Sequence, residues 1–318
     1  MIQLAATTIT PAAQLWLAGT TDARPLNIFA HACNLVNQNG AVLALATAAL
    51  PLSPFAVQIE VADFHGLKAA DGVQVVGSEL NLGPWRIQTA NAKIWNPRPD
   101  WIAVRRTMKA NPRRLASLAQ RALAGRPPSS LLELYCAPGF NSVTKQAALG
   151  AANLVNGVRT HMLDQAIDGA HQLAGLGQGL TPSGDDFIIG VMFAAWAGLY
   201  GATAAEFCVP LAQAAAPRTT TLSAAFLHAA ARGEAMSPWH TLLAALARLD
   251  KLPAASRAIL NIGHTSGADA LAGFLASYKW EVFDLSCQLV RSITETVKRA
   301  PLRMRIPPAL PAKICNMN

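Results

Sequence analysis

Gly175-Leu-Gly-Gln-Gly-Leu-Thr-Pro-Ser-Gly-Asp-Asp-Phe187, followed by an apolar run to Tyr200, is the stretch on which the reading of this chain turns. Its three alternate glycines, Gly175, Gly177 and Gly179, suit a backbone that turns tightly or admits a close neighbour. Thr181, Pro182 and Ser183 then spell a helix start, with a hydroxyl for the N-cap and proline near the first helical position. Ser183 and Asp186 stand at capping-box spacing, with Asp in place of the longer Glu or Gln. The pattern returns 83 residues later, where Ser266-Gly-Ala-Asp269 precedes another apolar run. Both copies read Ser-Gly-x-Asp-x-x-x-Gly, ending at Gly190 and Gly273.

With 318 residues, 52% of them hydrophobic and 14% charged, the chain can bury a large core in one or two domains. Phe187 to Tyr200 begins beside two aspartates and is shorter than the roughly 18 residues a bilayer span needs, so it reads as a buried core helix and no membrane segment is expected. The N-terminus lacks the basic start and long apolar region of a signal peptide. Cys33, Cys136, Cys208, Cys287 and Cys315 are scattered and form no Cys-x-x-Cys pair, which points to a reducing cytoplasm. The net charge of +8 concentrates in two places. Seven bases and no acid lie between Trp101 and Arg126, and Lys298, Arg299, Arg303 and Arg305 lie near the end. No aromatic residue is interleaved with the charges of either group, and no zinc-finger or RNA-binding signature accompanies them, so an anionic small molecule or an acidic protein surface is expected rather than nucleic acid.

The expected fold class is α+β, with a small N-terminal antiparallel β sheet or barrel followed by a larger all-α domain. Residues 1–26 are weakly patterned, with a short helix near Pro11 to Leu17. Asn34-Leu-Val and Ala41 to Ala46 flank a hairpin turn at Asn37-Gln-Asn-Gly40, and Val57 to Val61, Val73 to Val76 and Trp85 to Thr89 read as further strands. Asn96-Pro-Arg-Pro-Asp100 is the expected boundary, giving a β-rich domain at 1–96, a helical domain at 97–299 and a basic, proline-containing tail at 300–318. Helices are expected at 113–124, 141–174, 204–216, 222–232, 239–249, 256–262, 269–280 and 283–297, all alanine-rich.

A helix start aims unpaired N–H groups and the positive end of its dipole outward, a natural anion site. Two matching starts that converge would surround a pocket with the backbone of Gly177, Gly179, Gly184 and Gly267, the hydroxyls of Thr181, Ser183, Thr265 and Ser266, and the carboxylates of Asp186 and Asp269. Gly190 and Gly273 would let the two helices cross closely. Ordinary capping competes for Ser183, Ser266, Asp186 and Asp269, each cap being worth about 1 kcal/mol. No cap needs Asp185 or His264, which are therefore the expected groups for substrate contact, proton transfer or metal contact. Arg218, Thr219 and Thr220 begin a third hydroxyl-rich helix start and are expected to contact substrate. Asp164, Asp168 and His171 share a helical face that reads as solvated more readily than as a metal site. The chain has no P-loop, no Gly-x-Ser-x-Gly elbow and no His-Glu-x-x-His motif, which argues against nucleotide, serine or zinc hydrolysis.

The stretches Gly177 to Asp186, Thr219 to Ser223 and Gly263 to Asp269, in that order and spacing, resemble the signatures of the AllH (YlbF)-type family, a domain of unknown function. The similarity runs from about Leu26 to Leu275 and leaves out the basic tail. It implies a complex with FdrA (AllF)-like and AllG-like subunits, associated in allantoin breakdown with oxamate carbamoyltransferase. That enzyme converts oxalurate and phosphate into oxamate and carbamoyl phosphate. The resemblance carries over no catalytic residues. These reactants are anions, which the expected pocket would suit, although two adjacent aspartates repel an anion unless protonated or bridged by a metal. A Mg²⁺-type ion is allowed and not required. The alternative is a non-catalytic scaffold that only holds the FdrA-like partner.

Overall fold

The computed structural model describes residues 1–111, 113–135 and 142–278. The helix expected at 283–297, the end of the one expected at 269–280, the basic tail, and Cys136, Cys287 and Cys315 lie outside the described residues. The fold is α+β, a closed barrel followed by helices. Its strands are β1 (Ile2–Ile9), β2 (Ala23–Ile28), β3 (Ala32–Asn37), β4 (Val42–Thr47) and β5 (Ala56–Ile59), then β6 (Val73–Val76), β7 (Glu79–Leu82), β8 (Trp85–Gln88) and β9 (Lys93–Ile94). They run in the order β5-β4-β3-β2-β6-β7-β8-β1-β9, and β1 also pairs with β5, which closes eight strands on themselves.

Local chemistry sets these pairings. At the β3–β4 turn, Asn37 Oδ1 accepts from the amides of Asn39 and Ala41, both at 3.0 Å, and Gly40 takes the positive φ that the turn requires. Inward residues such as Leu35, Leu43, Leu45, Leu80 and Ile87 are fully buried, each side chain contributing about 1.5–3 kcal/mol. The sheet is mixed rather than antiparallel throughout: β1 runs parallel to β8 and β9, and β4 runs parallel to β5. The physical reason lies in the connections. Between β4 and β5 the chain crosses over through residues 48–55 instead of turning back. The weakly patterned start is a strand after all, because β1 is central and pairs on both sides along its length. A helix, α1 (Pro11–Gly19), follows it, with the Thr10 side chain accepting from Ala13 N at 3.3 Å.

The helical part comprises α2 (Trp101–Ala110), α3 (Arg113–Ala124), α4 (Ser142–Thr160), α5 (Leu163–Leu173) and α6 (Ser183–Ala194). It continues with α7 (Ala204–Ala215), α8 (Thr221–Ala231), α9 (Ser237–Ala245), α10 (Leu252–Leu260) and α11 (Ser266–Ala276). Helices α6 and α11 are its axis, buried from Gly184 to Ala194 and from Gly267 to Ala276. Helices apolar all round belong in a core, and these two pack on each other. Their crossing is possible only because of two glycines. A Cβ on Gly190 would stand 1.8 Å from Ala270 O, and one on Gly273 would stand 2.1 Å from Phe187 O.

The barrel meets the helices through residues 52–55 and 95–97. Phe55 packs on Phe226 of α8 at 4.8 Å between ring centroids. Leu52 N donates to Ser237 Oγ at 3.2 Å, and Ser237 N donates to Leu52 O at 3.0 Å. His240 of α9 stacks near Trp95 and donates to Pro97 O at 3.0 Å. No helix among the described residues is long and apolar enough to cross a membrane.

Candidate functional site

The two Ser-Gly-x-Asp starts do converge. Each glycine after the serine sits against the last turn of the preceding helix, Gly184 on Leu173 O of α5 and Gly267 on Ile259 O of α10, so the copies dock alike. Thr181 Oγ1 lies 2.9 Å from Ser266 Oγ, joining one start to the other. The expected capping boxes are not formed. The N-caps are Pro182 and Thr265, neither with a side-chain cap bond, and Ser183 and Ser266 are the first helical residues. Their hydroxyls instead bear on the acid of the opposite helix, Ser266 favouring the charged form of Asp186 on α6 and Ser183 that of Asp269 on α11. The physical reason is the close crossing, which places the opposite helix nearer than each serine's own first-turn amides.

Asp186 and Asp269 thus become a buried pair, 6% and 0% exposed. Burial, and then the charge of Asp269, hold the Asp186 carboxyl well above its ordinary 3.8, the Ser266 hydroxyl opposing them. Burial likewise pushes Asp269 up to about 6, against the pull of Leu131 N, Thr265 and Ser183. Leu131 N donates to Asp269 Oδ1 at 2.6 Å. On both acids Oδ2 is buried with no hydrogen-bond partner among the described residues. Such an orphan costs about 1–3 kcal/mol and calls for an explanation.

Asp186, Thr181 and Ser266 form the polar end of a cavity of about 170 Å³. Its walls are apolar, chiefly Phe193, Phe226, Trp239 and Ile262, with Pro54 of the barrel and Glu234 on the rim. Arg232 clamps Glu234 through two bonds, of 3.1 and 2.8 Å. No Lys or Arg lines the cavity among the described residues. The first-turn amides are largely spoken for: Gly184 N donates to Leu176 O at 2.9 Å, Asp186 N to Pro182 O at 3.2 Å and Gly267 N to Ile262 O at 3.1 Å. The arrangement therefore offers paired carboxyls rather than free amides.

Asp185, one residue from Asp186, points elsewhere. Its Oδ1 accepts from Gly175 N at 2.9 Å, and its Oδ2 accepts from Ser223 Oγ at 2.7 Å and from Thr219 Oγ1. Burial raises its pKa, against those three donors. It ties the glycine stretch and the start of α8 to α6. Thr220 caps α8, accepting from Ser223 N at 3.1 Å and donating to Leu180 O at 2.5 Å. Gly177, with φ +124°, packs on the Ser183 backbone, whereas Gly179 is exposed with open space around it. Arg218 and His264 are exposed and do not line the cavity. Asp164 and Asp168 are exposed on α5, and no group of three His, Cys, Asp or Glu suited to a metal occurs among the described residues.

The aromatic wall had no signal in the sequence, since Phe193, Phe226 and Trp239 each read as one more core residue of a helix. Among known proteins, residues 173–278 match the family model described as oxamate carbamoyltransferase subunit AllH. Residues 14–94 match that of the AllH family N-terminal domain, and the two together cover most of the chain. No solved structure matches it.

Proposed function

The chain belongs to the AllH family, and from that premise we propose that it is the pocket-bearing subunit of an oxamate carbamoyltransferase-type complex. The reading rests on one observation above others: two equivalent helix starts converge, and from them Asp186, Thr181 and Ser266 line one cavity, with Asp269 buried behind. In oxalurate the carbamoyl group carries N–H donors and a carbonyl acceptor, and it is the part that leaves for phosphate. Asp186 and the hydroxyls of Thr181 and Ser266 receive that end. A phosphate oxygen forms the new bond to the carbamoyl carbon as the carbon–nitrogen bond breaks. The proton of hydrogen phosphate ends on the departing oxamate nitrogen, and a carboxyl that lends its proton to that nitrogen and recovers one from phosphate serves as the relay. The anionic ends of both reactants lie towards the mouth. The FdrA-like or AllG-like partner is assigned the cations they require, since none lines the cavity among the described residues.

A cavity with no cation among the described residues also supports a second reading, in which this chain only scaffolds a partner that holds all the reactants. Reconstitution of the complex with its two partners separates them. Phosphate-dependent loss of oxalurate should fall at least a hundredfold with Asp186→Asn while assembly, followed by gel filtration, is unchanged. Full turnover by that variant would leave the scaffold reading standing. His264→Ala, an exposed residue that is not itself part of the cavity lining, should keep turnover within about threefold.

A further inference from the structure

We propose that the outer stripe of α2, with the hollow beside it over Trp196, docks an acidic surface of a partner subunit. This rests on the subunit reading above and names the face that meets the partner. Ile102, Arg105, Arg106 and Lys109 stand at positions i, i+3, i+4 and i+7 of α2, turned away from the buried Trp101 and Val104. Ile102 is 64% exposed, and Arg106 and Lys109 are exposed beside it. No acid lies between Trp101 and Arg126 in the sequence, and none of these three cations has an ion-pair partner among the described residues. Like charges three and four residues apart weaken a helix on its own, and carboxylates laid along them would relieve it.

The hollow has a volume of about 340 Å³, and Arg98, Ile102 and Arg105 line it. Trp196 sets both guanidinium groups. Arg98 lies over its ring, 4.6 Å from the centroid, and Arg105 Nη1 donates to its carbonyl at 3.2 Å. Trp196 is itself fixed, with its indole N–H donating to Ala230 O at 3.1 Å. Cations already held in place lose little freedom when a carboxylate arrives. Asp100, the acid at the hollow, is engaged as the cap of α2, accepting from Ala103 N at 2.9 Å. The stripe from Ile102 to Lys109 runs about 10 Å, more than a small anion spans, and its apolar member offers such an anion nothing. A nucleic-acid strand would use exposed rings to stack on, whereas Trp101 and Trp196 are 3% and 5% exposed. A second copy of this chain, at +8, has the wrong sign, as do its own residues 279–318, with seven bases against three acids. The occupant is therefore a foreign protein face of net negative charge, with an apolar residue among its acids.

The full chain is titrated by calorimetry with four probes, the purified FdrA-like subunit, the AllG-like subunit, oligothymidylate and succinate, at about 50 and 200 mM salt. At least one subunit should bind, and more weakly at the higher salt. Arg106→Glu with Lys109→Glu should weaken that binding at least tenfold, on the order of what reversing two interface charges does, with the circular dichroism spectrum unchanged. Ile102→Ala should weaken it about threefold at either salt. Lys68→Glu with Lys93→Glu, the same change of charge on exposed residues of the barrel, should leave it within about twofold. An equal loss in the barrel variant would overturn the proposal in favour of net charge alone. Loss of oligothymidylate or succinate binding in the α2 variant, with subunit binding intact, would overturn it in favour of a nucleic-acid or free-anion site. The outcome is separable from that of the pocket. Assembly that the α2 variant shares in full refutes the docking face and leaves the subunit role. Full turnover by Asp186→Asn, in a complex that the α2 variant fails to form, refutes the pocket and leaves the face. A chain that binds neither subunit refutes both.

Discussion

Adjacent aspartates do opposite things here. Successive residues of a helix point about 100° apart, so Asp185 faces the glycine stretch and α8 while Asp186 faces α11. Asp185→Ala strands three donors, Gly175 N, Thr219 Oγ1 and Ser223 Oγ, and should cost about 2–4 kcal/mol in urea unfolding. Asp186→Asn has the opposite sign at neutral pH. Both paired acids have folded pKa values above their ordinary 3.8. Their contribution is fully present below that value and is lost as pH rises through the folded values, about 6 for Asp269 and well above 3.8 for Asp186. The groups bearing on the pair are Asp185 on the same helix, Ser183, Ser266, Thr265 and the Leu131 amide, with Glu234 across the cavity. The Tm of Asp186→Asn relative to wild type should therefore rise between pH 4.5 and 7.5, and a flat difference would refute the shift. In the sequence these residues were visible as polar groups at a repeated spacing. Their partners were not, because the capping rule assigns Ser183 to its own helix and the crossing hands it to another.

The crossing of α6 and α11 belongs to the scale of elements. The repeated Gly190 and Gly273 announced it in the sequence, since each copy keeps its small residue seven positions after its serine. Gly190→Ala would drive a Cβ to 1.8 Å from Ala270 O, a backbone atom that cannot swing aside. The helices must part, and a loss of about 3 kcal/mol or more is expected by chemical denaturation. Gly66→Ala, with nothing within 4 Å of the added carbon, should stay within about 0.5 kcal/mol of wild type. The barrel was legible in part: the β3–β4 hairpin was spelled out by Asn37 to Gly40, whereas β1 was hidden. Ile2 to Ile9 mixes alanines and threonines among its apolar positions, and what makes it a strand is pairing with β5 and β8, both far along the chain.

At the scale of the molecule, the cavity exists only where the barrel and the helices meet. Pro54 and Phe55 come from the crossover between β4 and β5, and Phe226, Trp239 and Ile262 from three separate places in the helical part. No local pattern encodes such a wall, which is why the sequence yielded the polar end of the site and none of its body. Phe55→Ala removes the ring stacked on Phe226 and should lower both stability, by about 3 kcal/mol, and turnover of the reconstituted complex. An effect on stability alone would detach the barrel from the site.

The duplicated helix starts dock alike but do not hold their acids alike: the Leu131 amide attends Asp269 and has no counterpart at Asp186 among the described residues. A duplex of like halves would greet a guest identically in either orientation. That lone amide favours negative charge on Asp269, which is sealed from the cavity, while Asp186 lines it, so a guest meets only one half of the duplex and the cavity has a single acidic end.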